Sequence, residues 1–410
     1  MPGVTAVELP LVGLADVQAA RVVLEGVSRI TPLEGSRALG DWVGGPVWLK
    51  CENLQRTGSF KIRGAYVRIA RLTDEERSHG VVAASAGNHA QGVALAASLL
   101  GCSATVFMPA AAPLPKVAAT KAYGAQVRLE GANVEEALAA ADRFAADTGA
   151  VLIHPFDHAD VIAGQGTVGL EILEQCPEVK TIVVSTGGGG LVSGIAAAVK
   201  ASRPDVQVVA AQSSGAAAFP LSLEAGQPTR LESLTTMADG IAVGQPGDLT
   251  FAHVRDLVDR IVTVDDDALS RALLLSLERA KLVVEPAGAA GLAAVMQDPT
   301  AFEPPVVVVL SGGNIDPLLL AKVIRHGLIA AGRFLSLRVR IPDQPGELAR
   351  LLGVLASSSA NVLDVEHQRT GRTLHIDEVE VELQLETRGG EHSDRVVAAL
   401  RDASYPVALS

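Results

Sequence analysis

Aromatic side chains make up only 3% of the 410 residues, so whatever core forms must be packed by small aliphatics, within a hydrophobic share of 48%. Cysteine is scarcer still. Cys51, Cys102 and Cys176 stand far apart without a CxxC pair, which excludes a disulfide framework or a zinc ribbon and favours a reducing compartment. Positive charge is also short: the net charge is −12 and the lysines and arginines are dispersed. That argues against nucleic acid or an anionic membrane as partner. Charge of either sign is missing from Ser78 to Pro115, but Gly80, Gly87, Gly92, Gly101, Pro109 and Pro113 interrupt the stretch. It reads as strand, buried helix and strand, not as a membrane span. The opening "MPGVTAVELPLVGLADVQ" has no basic n-region and carries Glu8 and Asp16, unlike a signal peptide. A soluble cytoplasmic protein is expected.

What is present is a rhythm. From about residue 45 to 330, the apolar runs "VVAAS", "ATVFMP", "QVRLE", "TIVVST", "VQVVAAQ" and "VVVVLSGG" alternate with Ala-rich helical stretches. This predicts an α/β domain over residues 1–330, with mainly parallel sheets covered on both faces. The pattern changes near Arg333. "FLSLRVRI" alternates from Leu335 to Ile341 and "DEVEVELQLE" strictly, while "PGELARLLGVL" puts Leu348, Leu351, Leu352 and Leu355 on one helical face. The order βαββαβ over residues 333–410 predicts a second, ferredoxin-like α+β domain.

Four stretches of the first domain carry chemistry. In "ENLQRTGSFKIRGA" (52–65) a single lysine, Lys61, sits among small and polar residues. "SAGNHAQG" (85–92), "STGGGGLVSG" (185–194) and "SGGN" (311–314) each follow a predicted strand. Gly187 to Gly190 stand between a strand and a helix, where side-chain-free backbone and a helix N-terminus can cup a phosphate. The loop lacks a GK[ST] ending and is no nucleotide P-loop; by itself it is equally a flexible turn. Together, an amine able to form a Schiff base and an anion cup fit a phosphorylated aldehyde, and pyridoxal 5′-phosphate meets both demands. Asn88 can donate to an oxygen on such a ring, and Ser311 can hydrogen-bond a pyridine nitrogen.

With "HPFDHADVIAGQGT" (154–167) added, these motifs resemble those of the threonine/serine dehydratases, fold-type II pyridoxal-phosphate enzymes related in architecture to the tryptophan synthase β chain. The resemblance spans residues 1–330. It implies Lys61 as the Schiff-base lysine and general base, Phe60 beside it, and Asn88 on the ring oxygen. Gly187, Gly188, Gly189, Gly190 and Leu191 become the phosphate loop, with Ser311 on the ring nitrogen. Ser85, Ala86, Gly87, Asn88 and His89 are then expected at the substrate, an amino acid. The implied reaction is deamination of L-threonine to 2-oxobutanoate and ammonia, with L-serine as a second substrate.

Residues 333–410 resemble an ACT module, a regulatory domain that pairs and binds amino acids. Asp343, Gly346, Glu347 and Asn361 are its candidate ligand contacts, isoleucine or valine its expected effector, and a homodimer or homotetramer the expected assembly. The rivals are a serine dehydratase or racemase, and a non-catalytic amino-acid sensor. In the racemases a serine on the far face of the ring stands where this chain has Ala86, whose methyl cannot carry a proton. No metal is expected: relatives that bind a divalent cation place acidic ligands where this chain reads "QSSGAAAFP" (212–220), which leaves only backbone carbonyls for a monovalent ion. Other readings are structural. His154 and His158 are four apart, but Pro155 argues against the helix that would align them for zinc. His89 is as well explained by a satisfied hydrogen bond. Glu285 is a pocket-wall carboxylate or a plain structural one. Asp265 to Asp267 read as the N-cap and acidic first turn of the helix "DALSRALLLSLERAKL".

Overall fold

The computed structural model describes residues 10–369 and 374–409. Its contacts divide the chain after Asp316 into two units, so the helix Pro317–Ala330 goes with the second. Within the first unit the strands are, in chain order, β1 (Leu33–Gly35), β2 (Val47–Lys50), β3 (Val81–Ala84), β4 (Ala104–Met108), β5 (Gln126–Leu129), β6 (Val151–Leu152), β7 (Thr181–Ser185), β8 (Gln207–Ser213), β9 (Arg260–Val264) and β10 (Val306–Val309).

They form two sheets. The larger has the order β1-β2-β10-β7-β8-β9 and the smaller β5-β4-β3-β6. Every pairing is parallel except that of β1 with β2. The continuous apolar runs are explained by burial: every residue of β3, β4, β7 and β10 is buried. Edge strand β5 is mostly exposed, and its sequence is correspondingly polar. The expected α/β architecture is what forms.

Helix packing brings the motif-bearing elements together. The helix Lys61–Ala70 lies between Asn88–Leu99 and Ala159–Gln175. A Cβ on Gly92 would stand 3.1 Å from the Lys61 carbonyl carbon, and one on Gly164 would stand 2.7 Å from the Gly64 Cα. Glycine at these crossings lets the backbones approach closely. The helix "DALSRALLLSLERAKL" is regular only over Asp266–Leu275; its continuation, Ser276–Ala280, widens to π geometry and stops at Lys281, φ 59°. Asp265 caps it through the Ala268 N–H at 2.7 Å, but Asp266 reaches away to Thr236 Oγ1 and the Met237 N–H.

The second unit has β11 (Phe334–Pro342), β12 (Asn361–Gln368), β13 (Glu378–Glu386) and β14 (Val407–Leu409), in the antiparallel order β12-β13-β11-β14. With helices Glu347–Ser357 and Gly390–Asp402 this is βαββαβ. Leu337, Val339, Ile341, Val379, Val381, Leu383 and Leu385 are buried, which is the alternation seen in the sequence. A bulge between Val362 and Asp364 breaks the β12 register and leaves Leu363 exposed. Among the described residues, no helix is long and apolar enough to cross a membrane.

Candidate active site

Three of the four chemical stretches lie at carboxyl ends of parallel strands, where a sheet of this kind collects ligands. Ser85 to Gly87 leave β3 and lead into the helix Asn88–Leu99. Thr186 to Gly189 leave β7 and lead into Gly190–Ser202. Leu310 to Asn314 follow β10. The fourth stretch is stitched to the last of these: the Phe60 N–H donates to the Ser311 carbonyl at 3.2 Å and the Gly313 N–H to the Gly58 carbonyl at 2.9 Å.

Lys61 opens its helix half-buried, with Nζ donating to the Pro155 carbonyl at 2.8 Å and lying 5.1 Å from the centre of the Phe60 ring. Burial brings its amine down to about 8, against the opposing pull of the Glu285 carboxylate. At that value a sizeable fraction is neutral and nucleophilic near pH 7–8. Phe156, next to the proline that holds Lys61, is pressed against the glycine loop: a Cβ on Gly188 would run into its ring and one on Gly190 would lie 3.0 Å from its Cα. Gly189 adopts φ 92° and caps the helix that starts at Gly190. The first N–H groups of that helix have no intrahelical acceptor, so they are offered to an anion.

Asn88 donates from Nδ2 to Glu285 Oε1 at 2.5 Å and accepts at Oδ1 from Asn314 Nδ2 at 2.7 Å. Glu285 caps the helix Pro286–Gln297 and is 7% exposed. Burial raises its carboxyl to about 7, the Asn88 hydrogen bond opposing. Its own N–H donates to the Gly312 carbonyl at 3.0 Å. Ser311 is buried. Ser85 accepts from the Gly87 N–H at 3.1 Å and, with Ala86 and Gly87, is half-buried. The His89 ring is turned inward, Nε2 lying 2.7 Å from the Ile153 carbonyl, and burial with the nearby Lys61 charge pushes it down to about 3.

His154 and His158 act locally. His154 Nδ1 accepts from the Asp157 N–H at 2.7 Å, and His158 Nδ1 accepts from the Asp160 N–H at 3.1 Å to cap the helix Ala159–Gln175. Residue-by-residue reading of the sequence misses Pro155 and Phe156, although the stretch containing them stands out. It also misses Asn314, the last residue of "SGGN". A buried charge quartet that includes Arg63 of the Lys61 helix escapes it too. Arg63 contacts Glu52 at 2.8 Å and Glu171 at 2.6 Å, and Lys50 contacts Glu171 at 2.6 Å. Thr31 Oγ1 donates to Glu52 at 2.6 Å. Lys50, Glu52 and Arg63 are 0% exposed.

In the second unit, a concavity of about 240 Å³ is lined by Asp343, Gln344, Pro345 and Leu348, facing His367 and Arg369 of the β12 end. Gly346, φ 92°, caps the adjoining helix, and Glu347 pairs with Arg350 at 2.5 Å. Asn361 is at the other end of β12, where Nδ2 donates at 3.1 Å to Glu386, its partner in the sheet register.

The site suits pyridoxal phosphate on its own terms: a half-buried amine of lowered pKa, a helix N-terminus on a glycine loop, and an amide and a serine on the loops after β3 and β10. Known proteins agree. The family described as pyridoxal-phosphate dependent enzymes matches residues 24–312. An L-threonine ammonia-lyase of Thermotoga maritima is 46% identical over 399 residues, covering 97% of this chain and 100% of its own. The processed form of threonine deaminase isoform 2 from Solanum lycopersicum superposes with a TM-score of 0.74 at 36% identity, over 80% of this chain and 94% of its own. Maize serine racemase does so with 0.73 at 40%, over 78% and 99%. The chain therefore belongs to the pyridoxal-phosphate dependent enzymes, in their fold-type II serine/threonine dehydratase family, and pyridoxal phosphate is its cofactor.

Proposed function

We propose that this enzyme deaminates L-threonine to 2-oxobutanoate and ammonia and also accepts L-serine. The observation that carries threonine as the substrate is the likeness to the Thermotoga maritima threonine ammonia-lyase, which extends over nearly the whole chain. When bound, pyridoxal phosphate acidifies the Cα–H of the amino acid it holds and lets the β-hydroxyl leave. Lys61 would hold the cofactor's aldehyde at Nζ, and its free amine, near 8, would be the base that takes the Cα proton. Backbone N–H groups from Gly187 to Leu191 would hold the phosphate. Asn88 would serve the ring oxygen and Ser311 the ring nitrogen. Loss of water and uptake of water balance, so threonine yields one 2-oxobutanoate and one ammonia.

Racemisation is the rival that the likeness to maize serine racemase raises. Ala86 argues against it, because a methyl cannot return a proton on the far face. Serine differs from threonine by one methyl, a weak basis for rejection.

The second unit is read as an ACT module. Its concavity offers Asp343 to an ammonium and His367 with Arg369 to a carboxylate, and Arg369 and Asp343 are 3.4 Å apart. Isoleucine or valine is the proposed effector, a homodimer or homotetramer the assembly. The cytoplasm is the proposed location, since the three cysteines are unpaired. Product analysis tests the reading. L-threonine should give 2-oxobutanoate and ammonia in equal amounts, and L-serine should give pyruvate without D-serine. Substantial D-serine, or no keto acid from threonine, would overturn it.

A further inference from the structure

The carboxamide of Asn314 joins three segments that the sequence keeps far apart. Nδ2 donates to the Thr57 carbonyl at 2.5 Å and to Asn88 Oδ1 at 2.7 Å. A backbone carbonyl can only accept, so the atom facing Thr57 must be the nitrogen of Asn314. Both its hydrogens are then committed. The atom of Asn88 that meets it must be the oxygen, and Asn88 Nδ2 is left to face Glu285 Oε1 at 2.5 Å. The hydrogen bonds thus run one way, from Asn314 to Asn88 to Glu285, with the Thr57 carbonyl as the anchor.

The surroundings leave little slack. A Cβ on Gly58 would collide with the Asn314 amide, and one on Gly312 would stand 2.9 Å from Asn88 Nδ2. Thr57 is a non-glycine residue at φ 62°, a strained conformation in the turn that delivers Phe60 and Lys61.

We propose that Asn314 is a positioning residue of the cofactor site. By giving one hydrogen to Asn88 and one to Thr57, it fixes which end of the Asn88 amide is presented to the cofactor and holds the turn that leads to Lys61. The proposal rests on Asn88 facing the cofactor ring, as read above.

The test replaces Asn314 by Asp, nearly the same shape but an acceptor where two donations are needed, with Asn314→Ser and Asn88→Ala in parallel. Cofactor titrated into each apoenzyme gives an affinity and an absorption spectrum; thermal melting of the apoenzyme reports the fold; kcat and KM are taken on the holoenzymes. In Asn314→Asp we expect a displaced cofactor absorption, affinity and kcat each lowered roughly 10–100-fold by the unpaired buried groups, and an apoenzyme melting close to wild type. Asn314→Ser keeps one donor and falls between. Spectrum and affinity within about twofold of wild type in both Asn314 variants, while Asn88→Ala changes them, would overturn the role of Asn314 alone. If Asn88→Ala also leaves spectrum and affinity unchanged, the reading of Asn88 fails and this proposal with it.

Discussion

Lys61 and Glu285 share one buried site, and burial pushes each toward its neutral form: the amine down to about 8, the carboxyl up to about 7. For Glu285 the linkage has a definite sign. Between its ordinary value of 4.5 and about 7, the folded chain keeps a proton that the unfolded chain has released. The resulting stability is fully present below pH 4.5 and is lost as pH rises through 7. In urea titrations of the apoenzyme, the stability of wild type relative to Glu285→Gln should therefore fall across that window, by on the order of 1–3 kcal/mol. A difference that stays constant from about pH 4.5 to about 7.5 would contradict this account of Glu285. Lys61 was legible in the sequence because its small neighbours are unusual and local. Glu285 was legible only as a carboxylate beside a glycine-rich helix start, since its partner Asn88 is 197 residues away. Asn314 was legible only as part of a motif, because its role depends on where two other loops end.

At the scale of elements, strands and helices could be read from apolar runs because β3, β4, β7 and β10 are buried throughout. The partition into two sheets could not, since nothing in a short valine run says which neighbour it will pair with. The charge quartet was hidden for a similar reason: Lys50, Glu52, Arg63 and Glu171 each look like ordinary surface charges until the fold brings them together. Here they join β2, the turn after it, the Lys61 helix and the helix Ala159–Gln175. Two positive and two negative groups balance, and Thr31, Thr167 and Gln175 take up further hydrogen bonds. Removing one charge leaves the others buried and uncompensated. Glu171→Gln should lower unfolding stability by about 3–5 kcal/mol, measured by urea denaturation of the apoenzyme. A loss below about 1 kcal/mol would show that the quartet is far better solvated than its burial indicates.

At the scale of the whole molecule, the alternation after Arg333 exposed the second fold clearly, but not its concavity. Asp343 was anticipated there; His367 and Arg369 come from the far end of another strand. An effector shifts an equilibrium only by its differential affinity for two states, typically ~1–3 kcal/mol. Isoleucine or valine should thus change threonine kinetics by roughly 5–150-fold at most. Asp343→Ala and His367→Ala should blunt that response and leave basal turnover unchanged, because neither residue is among those assigned to the cofactor. Steady-state assays with and without each amino acid decide this; variants that respond like wild type would move the effector site elsewhere. The central claim, that the loops after β3, β7 and β10 assemble around Lys61 to hold the cofactor, is tested most directly by reducing the holoenzyme with borohydride and mapping its peptides by mass. The account predicts one cofactor adduct per chain, on the peptide containing Lys61. An adduct on any other lysine, or none on a holoenzyme that turns over threonine, would contradict it.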